Sequence, residues 1–181
     1  MKDLKKVTRL SVFDFDGTLV DSPLPDSGRV KYEKVTGKPW PHKGWWGQAD
    51  SLDINIFDIP TKPEVIADYQ KEALKKDTMV IMLTGRMQKL SGEVSQILTH
   101  YGLKFDGYFF NRGGATDTAK LKAIEGILDQ FPLIREITMW EDREEHIVIF
   151  KKWGEAKIAK GELDKFEVVH VKSNNHEKDP Q

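Results

Sequence analysis

Between Leu10 and Asp21 the chain reads Leu-Ser-Val-Phe-Asp-Phe-Asp-Gly-Thr-Leu-Val-Asp. An apolar run leads into two carboxylates at alternate positions and then a Gly-Thr turn. This is the pattern of a buried strand that delivers Asp14 and Asp16 to its carboxyl end. Residues two apart in an extended strand point the same way. Two adjacent acids repel each other and resist desolvation, so a cation, a protonated member or a bound phosphate with its metal is expected beside them.

The first strand is expected over about Val7 to Asp16. Val20 to Pro60 follows as an irregular insert, punctuated by Pro23, Pro25, Pro39, Pro41 and glycines and too long for an ordinary connection. Thr61-Lys62-Pro63-Glu64 reads as a helix start with a capping-box pair. Thr78 to Leu83 is a second apolar run. Met87, Leu90, Val94, Ile97, Leu98 and Tyr101 then recur at helical spacing up to Gly102. Gly107 to Asn111 forms a third strand, Leu121 to Phe131 marks a helix, and Ile137 to Trp140 a fourth strand. A helix over about Arg143 to Trp153 and a fifth strand over Phe166 to Val171 complete the alternation, with Ser173 to Gln181 as a disordered tail. Such alternation predicts an α/β fold, a mainly parallel five-stranded sheet with helices on both faces.

The 181 residues, 39% hydrophobic and 31% charged, suit one domain over residues 1–172 with an insert at 20–60. With no cysteine, disulfides, thiolate catalysis and cysteine zinc sites are excluded. The net charge of −1 gives no general attraction to nucleic acid. No run reaches membrane-spanning length and no signal-peptide core follows Met1, so a soluble, cytoplasmic protein is expected.

Ligands of parallel sheets bind outside the carboxyl ends of the strands, and the polar residues there are chemically consistent. Thr84-Gly85-Arg86 offers a hydroxyl, an amide and a guanidinium for a phosphate. Lys120 falls in the first turns of a helix, where the dipole disfavours an ammonium, so an anion facing it is the better explanation. Asp117 either anchors Lys120 or Arg112 or caps that helix. Glu141 and Asp142 follow the fourth strand, and Mg²⁺ takes oxygen ligands of this kind. His146 either orients Asp142, reaches substrate, or is a surface or capping histidine.

The Asp-x-Asp-Gly-Thr string, Thr84, Lys120 and the Glu141–Asp142 pair resemble, in order, the four motifs of the haloacid dehalogenase (HAD) superfamily. The resemblance implies a Rossmann-like fold and Mg²⁺-dependent phosphate-ester hydrolysis. Asp14 is then nucleophile and metal ligand, and Asp16 is general acid/base and carbonyl ligand. Thr84 and the amides of Phe15 and Gly85 hold the phosphate, and Lys120 screens its charge. Glu141 departs from the usual Asp-Asp pair, and Asp142 is favoured as the direct ligand.

The insert carries Trp40-Pro41-His42-Lys43-Gly44-Trp45-Trp46. His42, Lys43, Trp45 and Trp46 either hold a phosphorylated base by stacking or staple the insert to the core. Gly-Trp-Trp here, Leu-Thr-Gly-Arg after the second strand and Glu-Asp-Arg-x-x-His after the fourth are similar to HAD domains called Swiss Army Knife RNA repair-like. Thr-Gly-Arg, Asp-Thr-x-Lys and the acidic-Asp-Arg segment also look like the phosphatase half of phage polynucleotide kinase/phosphatase. That likeness implies phosphorylated nucleic-acid ends or nucleotides as substrates and adds Arg86 and Asp117 to the site, with Arg112 nearby. A phosphatase of a small metabolite or phosphoprotein, and a non-catalytic nucleic-acid or protein-binding module, are the alternatives.

Overall fold

Every residue of β1 (Arg9–Phe13) after the first is buried, which suits a strand flanked on both sides and covered on both faces. In the computed structural model, which describes residues 2–173, β1 is the middle of a five-stranded parallel sheet. Its partners are β2 (Thr78–Met87), β3 (Gly107–Asn111), β4 (Glu136–Glu141) and β5 (Lys165–His170), in the order β3-β2-β1-β4-β5. Between the strands run α1 (Pro25–Thr36), α2 (Pro63–Ala73), α3 (Ser91–His100), α4 (Thr116–Gln130) and α5 (Glu144–Ala159).

The period-two alternation of strands divides the core between the two faces of the sheet. Leu10 and Val12 join Met79, Ile81, Leu83, Ile137 and Met139, with Ile124 and Ile127 of α4 and Phe150 of α5. Phe13 joins Val80, Met82 and Trp140, with Val65 and Tyr69 of α2 and Val94, Ile97 and Leu98 of α3. Phe13 stacks on Trp140 with ring centroids 4.2 Å apart. Burying side chains of this size is worth roughly 2 kcal/mol each, which favours β1 at the centre over an edge.

The chain runs outward from β1 to β2 and β3, then returns across the sheet to β4 and β5. The strand order therefore reverses between β1 and β4, and ligand crevices form at such a point. The Asp14 N–H donates to the Trp140 carbonyl at 3.1 Å, so Asp14 and the Glu141–Asp142 pair leave the sheet side by side.

Several expectations are revised. β1 ends at Phe13 and not near Asp16, so Asp14 to Gly17 form a turn and the two acids do not share one strand face. Gly17 has φ +73° and donates to Val20 O at 2.8 Å. β2 continues through Thr84-Gly85-Arg86 to Met87, with a register irregularity after Leu83. The insert expected to be irregular contains α1. Pro25 lies at the start of α1, and a Cβ added to Gly28 would sit 2.2 Å from Trp45 Cη2. The residues that read as loop punctuation are thus a helix start and a close packing contact. The expected capping box does not close: α2 begins at Pro63 behind Lys62, with no side-chain cap. Ser173 was expected in a disordered tail, but its hydroxyl donates to Asp142 Oδ2 at 2.8 Å. The rest of that tail lies outside the described residues, among which no helix is long and apolar enough to cross a membrane.

Candidate active site

Asp14 leaves β1, Glu141 ends β4, Asp142 follows it, and Lys120 lies one turn inside α4. The Lys120 ammonium is buried and donates to Asp14 Oδ1 at 2.8 Å and to Glu141 Oε1 at 2.9 Å. The Asp14, Glu141 and Asp142 carboxylates each place an oxygen within 4.8 Å of the others, and all three residues are buried. Thr18 Oγ1 donates to Asp14 Oδ2 at 3.1 Å. Groups from positions 14 to 142 therefore gather at one edge of the sheet.

The charges in this cluster do not balance, since one ammonium faces three carboxylates. Burial, then repulsion by Glu141 and Asp142, pushes Asp14 well above the usual carboxylate range despite Lys120. Asp142 is pushed up by burial and by Glu141. Burial is the largest influence on Glu141 and opposes its ionisation, but the Lys120 charge and hydrogen bonding with His146, Asp14 and Lys120 together hold it well below its ordinary value. Burial likewise works against the Lys120 ammonium, and its two carboxylate partners more than compensate, leaving it raised. A further cation, or a proton on one of the carboxyls, would balance the cluster.

A hard divalent cation fits the oxygens that remain. Asp142 Oδ1 is buried without a hydrogen-bond partner, and Asp14 supplies a second carboxylate, a donor set suited to Mg²⁺. Glu141 is occupied: Oε1 receives Lys120 and lies 3.8 Å from His146 Nδ1, while Oε2 receives the Asp142 amide at 3.1 Å. Its place is beside Lys120, which favours Asp142 as the direct ligand. His146 is buried against Glu141; its ring neither orients Asp142 nor lies at the surface.

Asp16 is held separately. Arg86 Nε donates to its Oδ2 at 2.9 Å and Nη2 to its Oδ1 at 2.8 Å, and Ser22 Oγ donates to Oδ1 at 2.5 Å. Arg86 Nη1 reaches into the insert, to Trp46 O at 2.8 Å and Ser51 Oγ at 2.6 Å. Its guanidinium lies over the Trp46 ring, 5.1 Å from the centroid. The sequence reading gave this guanidinium to the phosphate, but the fork is spent on Asp16 and the insert. Arg86 therefore sets the carboxylate plane of Asp16, as bidentate pairing does. Neither Ser22 nor Ser51 has a site role legible in the sequence, because a single serine in a long insert carries no pattern.

The remaining candidates divide. Thr84 is buried within the second half of β2 and its Oγ1 accepts the Arg86 amide at 3.1 Å, which leaves the hydroxyl proton to donate. Gly85 passes close to α4: a Cβ there would be 2.5 Å from Thr116 Cγ2. Asp117 accepts the Thr118 amide at 2.8 Å, so it braces the start of α4 and anchors neither Lys120 nor Arg112. Arg112 is exposed on the loop after β3.

Within the insert, Trp45 is wholly buried and its indole N–H donates to Pro23 O at 2.9 Å. A buried ring presents no face to a base, so of the two readings open to Trp45 the structure shows the core staple, and base stacking is set aside. His42 pairs with Asp50 at 2.7 Å, and Lys43 is exposed. Trp46 remains part-exposed beside Arg86.

Comparison with known proteins agrees with this architecture. The chain is 26% identical, over 170 aligned positions and 81% of its length, to an uncharacterized protein of Saccharomyces cerevisiae. It spans only 37% of that relative. An archaeal β-phosphoglucomutase from Pyrococcus matches with a TM-score of 0.53 at 16% identity, covering 81% of this chain and 84% of the other. The HAD domain of the Legionella pneumophila effector Lem4 matches with a TM-score of 0.53 at 12% identity, covering 94% and 89%. Both likenesses concern the fold, a Rossmann-like HAD sheet. The model of HAD domain family 1 in Swiss Army Knife RNA repair proteins matches residues 32–181, from within α1 past the Glu141–Asp142 pair. By that match, which covers most of its length, the chain belongs to HAD domain family 1 of Swiss Army Knife RNA repair proteins.

Proposed function

We propose that the chain is a Mg²⁺-dependent phosphomonoester hydrolase that works through an aspartyl-phosphate on phosphorylated nucleic-acid ends, as a 3′-phosphatase would, or on nucleotides. The observation that carries this reading is the convergence of Asp14, Lys120 and Asp142 at the switch point of the sheet. Family membership supports the phosphohydrolase class. The nucleic-acid substrate follows from the RNA repair proteins in which this family occurs and from the motif resemblance.

Asp14 and Asp142 would hold the metal, with the Asp16 carbonyl as the family pattern implies. When bound, Mg²⁺ neutralises phosphoryl oxygens and fixes the ester for in-line attack. An Asp14 oxygen forms the bond to phosphorus as the bond to the leaving oxygen breaks. Asp16, aimed by Arg86 and Ser22, would enter this step after taking up a proton from solvent and pass that proton to the leaving oxygen. The resulting Asp16 carboxylate then takes a proton from water. That water attacks phosphorus, and the phosphorus–Asp14 bond breaks to release inorganic phosphate. Lys120 and the Thr84 hydroxyl stabilise charge on the equatorial oxygens.

The test is phosphate release from a 3′-phosphorylated oligonucleotide, a nucleoside monophosphate and an aryl phosphate, with and without Mg²⁺. Metal-dependent release that favours the nucleic-acid substrates is expected. Release from none of them would remove the enzymatic reading, and preference for the aryl phosphate would remove the nucleic-acid one.

A further inference from the structure

Lys62 has no role in the site described above, yet it is only 8% exposed. It occupies the residue before α2, where neither capping preference nor the helix dipole favours an ammonium. Its Nζ donates to Lys172 O and lies 3.4 Å from Asp21 Oδ1. An ammonium has three protons to donate, so two partners leave one N–H for another acceptor. The Lys62 side chain lines a cleft of about 400 Å³, together with Gly17, Asp21, Ser22, Lys172 and Ser173.

The position of this cleft gives it a meaning. Ser22 on its wall donates to Asp16 Oδ1, and Ser173 on its wall donates to Asp142 Oδ2. Gly17 on its wall directly follows Asp16, and its backbone passes so close to Asp142 that a Cβ would sit 2.2 Å from Oδ2. The cleft therefore adjoins the carboxylate that protonates the leaving oxygen, so the part of the substrate beyond that oxygen would enter it. Two lysines against the single carboxylate of Asp21 make the lining net cationic. Asp21 is half-exposed, and Lys172 has no acidic partner among the described residues. An uncharged leaving group would give two lysines nothing to bind, whereas a second anion would satisfy both.

We infer that this cleft is a leaving-group subsite for a second phosphate-ester anion, held by Lys62 and Lys172, so that the preferred substrate carries another phosphate beyond the scissile one. The inference rests on the phosphatase reading above and narrows its substrate. A phosphodiester of a polynucleotide and the second phosphate of a bisphosphorylated nucleoside present the same chemistry, and the test separates them.

The experiment compares kcat/KM for a nucleoside 3′-monophosphate, the matching 3′,5′-bisphosphate and a 3′-phosphorylated oligonucleotide, in the wild type and in Lys62→Met, Lys172→Met and Asp21→Asn. The wild type is expected to prefer the doubly anionic substrates to the monophosphate by about tenfold or more, the worth of one charge-assisted hydrogen bond. Both lysine variants bring that ratio toward one, chiefly through KM, and Asp21→Asn raises it. A preference for the oligonucleotide over the bisphosphate identifies the anion as a phosphodiester, and the reverse identifies a terminal phosphate. A wild-type ratio near one, or losses of equal size on every substrate, overturns the subsite.

Turnover of no substrate would refute the phosphatase reading, and binding then reads the cleft separately. Asp14→Asn protein should bind the bisphosphate more tightly than the monophosphate by calorimetry, and adding Lys172→Met should abolish the difference. Equal binding of the two ligands overturns the subsite even if the enzyme is active. Lys172 lies at the surface, so this variant keeps the test open should Lys62→Met fail to fold.

Discussion

Asp14 and Asp16 are two residues apart, but the turn at Gly17 gives each its own cation, Lys120 for one and Arg86 for the other. Their chemistry was legible because the spacing of acids after an apolar run is a local pattern. Their partners were legible only in part, since Arg86 looked equally suited to a phosphate. Replacing Arg86 by Lys keeps the charge but loses the bidentate fork and two bonds to the insert. A fall in kcat of about a hundredfold is expected, of the order attributed to a well-placed general acid, with KM for an aryl phosphate little changed. A rise in KM with kcat intact would instead return the guanidinium to the phosphate.

Burial and neighbouring carboxylates raise Asp14. An acid harder to ionise folded than unfolded withdraws stability as pH rises from its unfolded pKa through its folded one. In the metal-free protein, Asp14→Asn should therefore leave Tm near neutral pH unchanged or higher while abolishing turnover. A Tm drop of many degrees would show that the ionised Asp14–Lys120 pair stabilises the fold.

Among the elements, the strands and the helices α2 to α5 were readable from periodicity, and α1 was not. Pro25 and Gly28 signal a break in any local reading, and only the Trp45 ring lying against Gly28 explains them. That ring comes from seventeen residues further on, a pairing that periodicity does not carry. Gly28→Val should cost roughly 1–3 kcal/mol by overpacking, measured by urea denaturation. Because the insert also holds Arg86 through Trp46 and Ser51, activity at a given temperature should fall as well. Trp45→Ala should destabilise by about 3–5 kcal/mol and reduce nucleotide and aryl phosphate turnover alike. A loss confined to nucleotides would revive base stacking at Trp45.

Across the whole molecule, the reversal of strand order beside β1 brings Asp14 and Asp142 together from opposite ends of the chain. The sheet class and the edge that carries the site were legible in the alternation of elements. The division of labour between Glu141 and Asp142 was not, because it depends on which oxygen Lys120 and the Asp142 amide already occupy. Mg²⁺ should raise Tm, and the rise should grow from mildly acidic to neutral pH as protons cease to compete for Asp14 and Asp142. Asp142→Asn should remove most of that rise, and Glu141→Gln should not abolish it. A Mg²⁺ effect that survives Asp142→Asn would move the ligand to another residue.

Acid quench of the working enzyme followed by mass-spectrometric peptide mapping tests the nucleophile most directly. In Asp16→Asn protein, where breakdown of the intermediate is slowed, a phosphoryl group should be found on Asp14 and on no other residue. Substrate turnover with Asp14 unmodified at every quench time, or near-normal rates in Asp14→Asn, would contradict it.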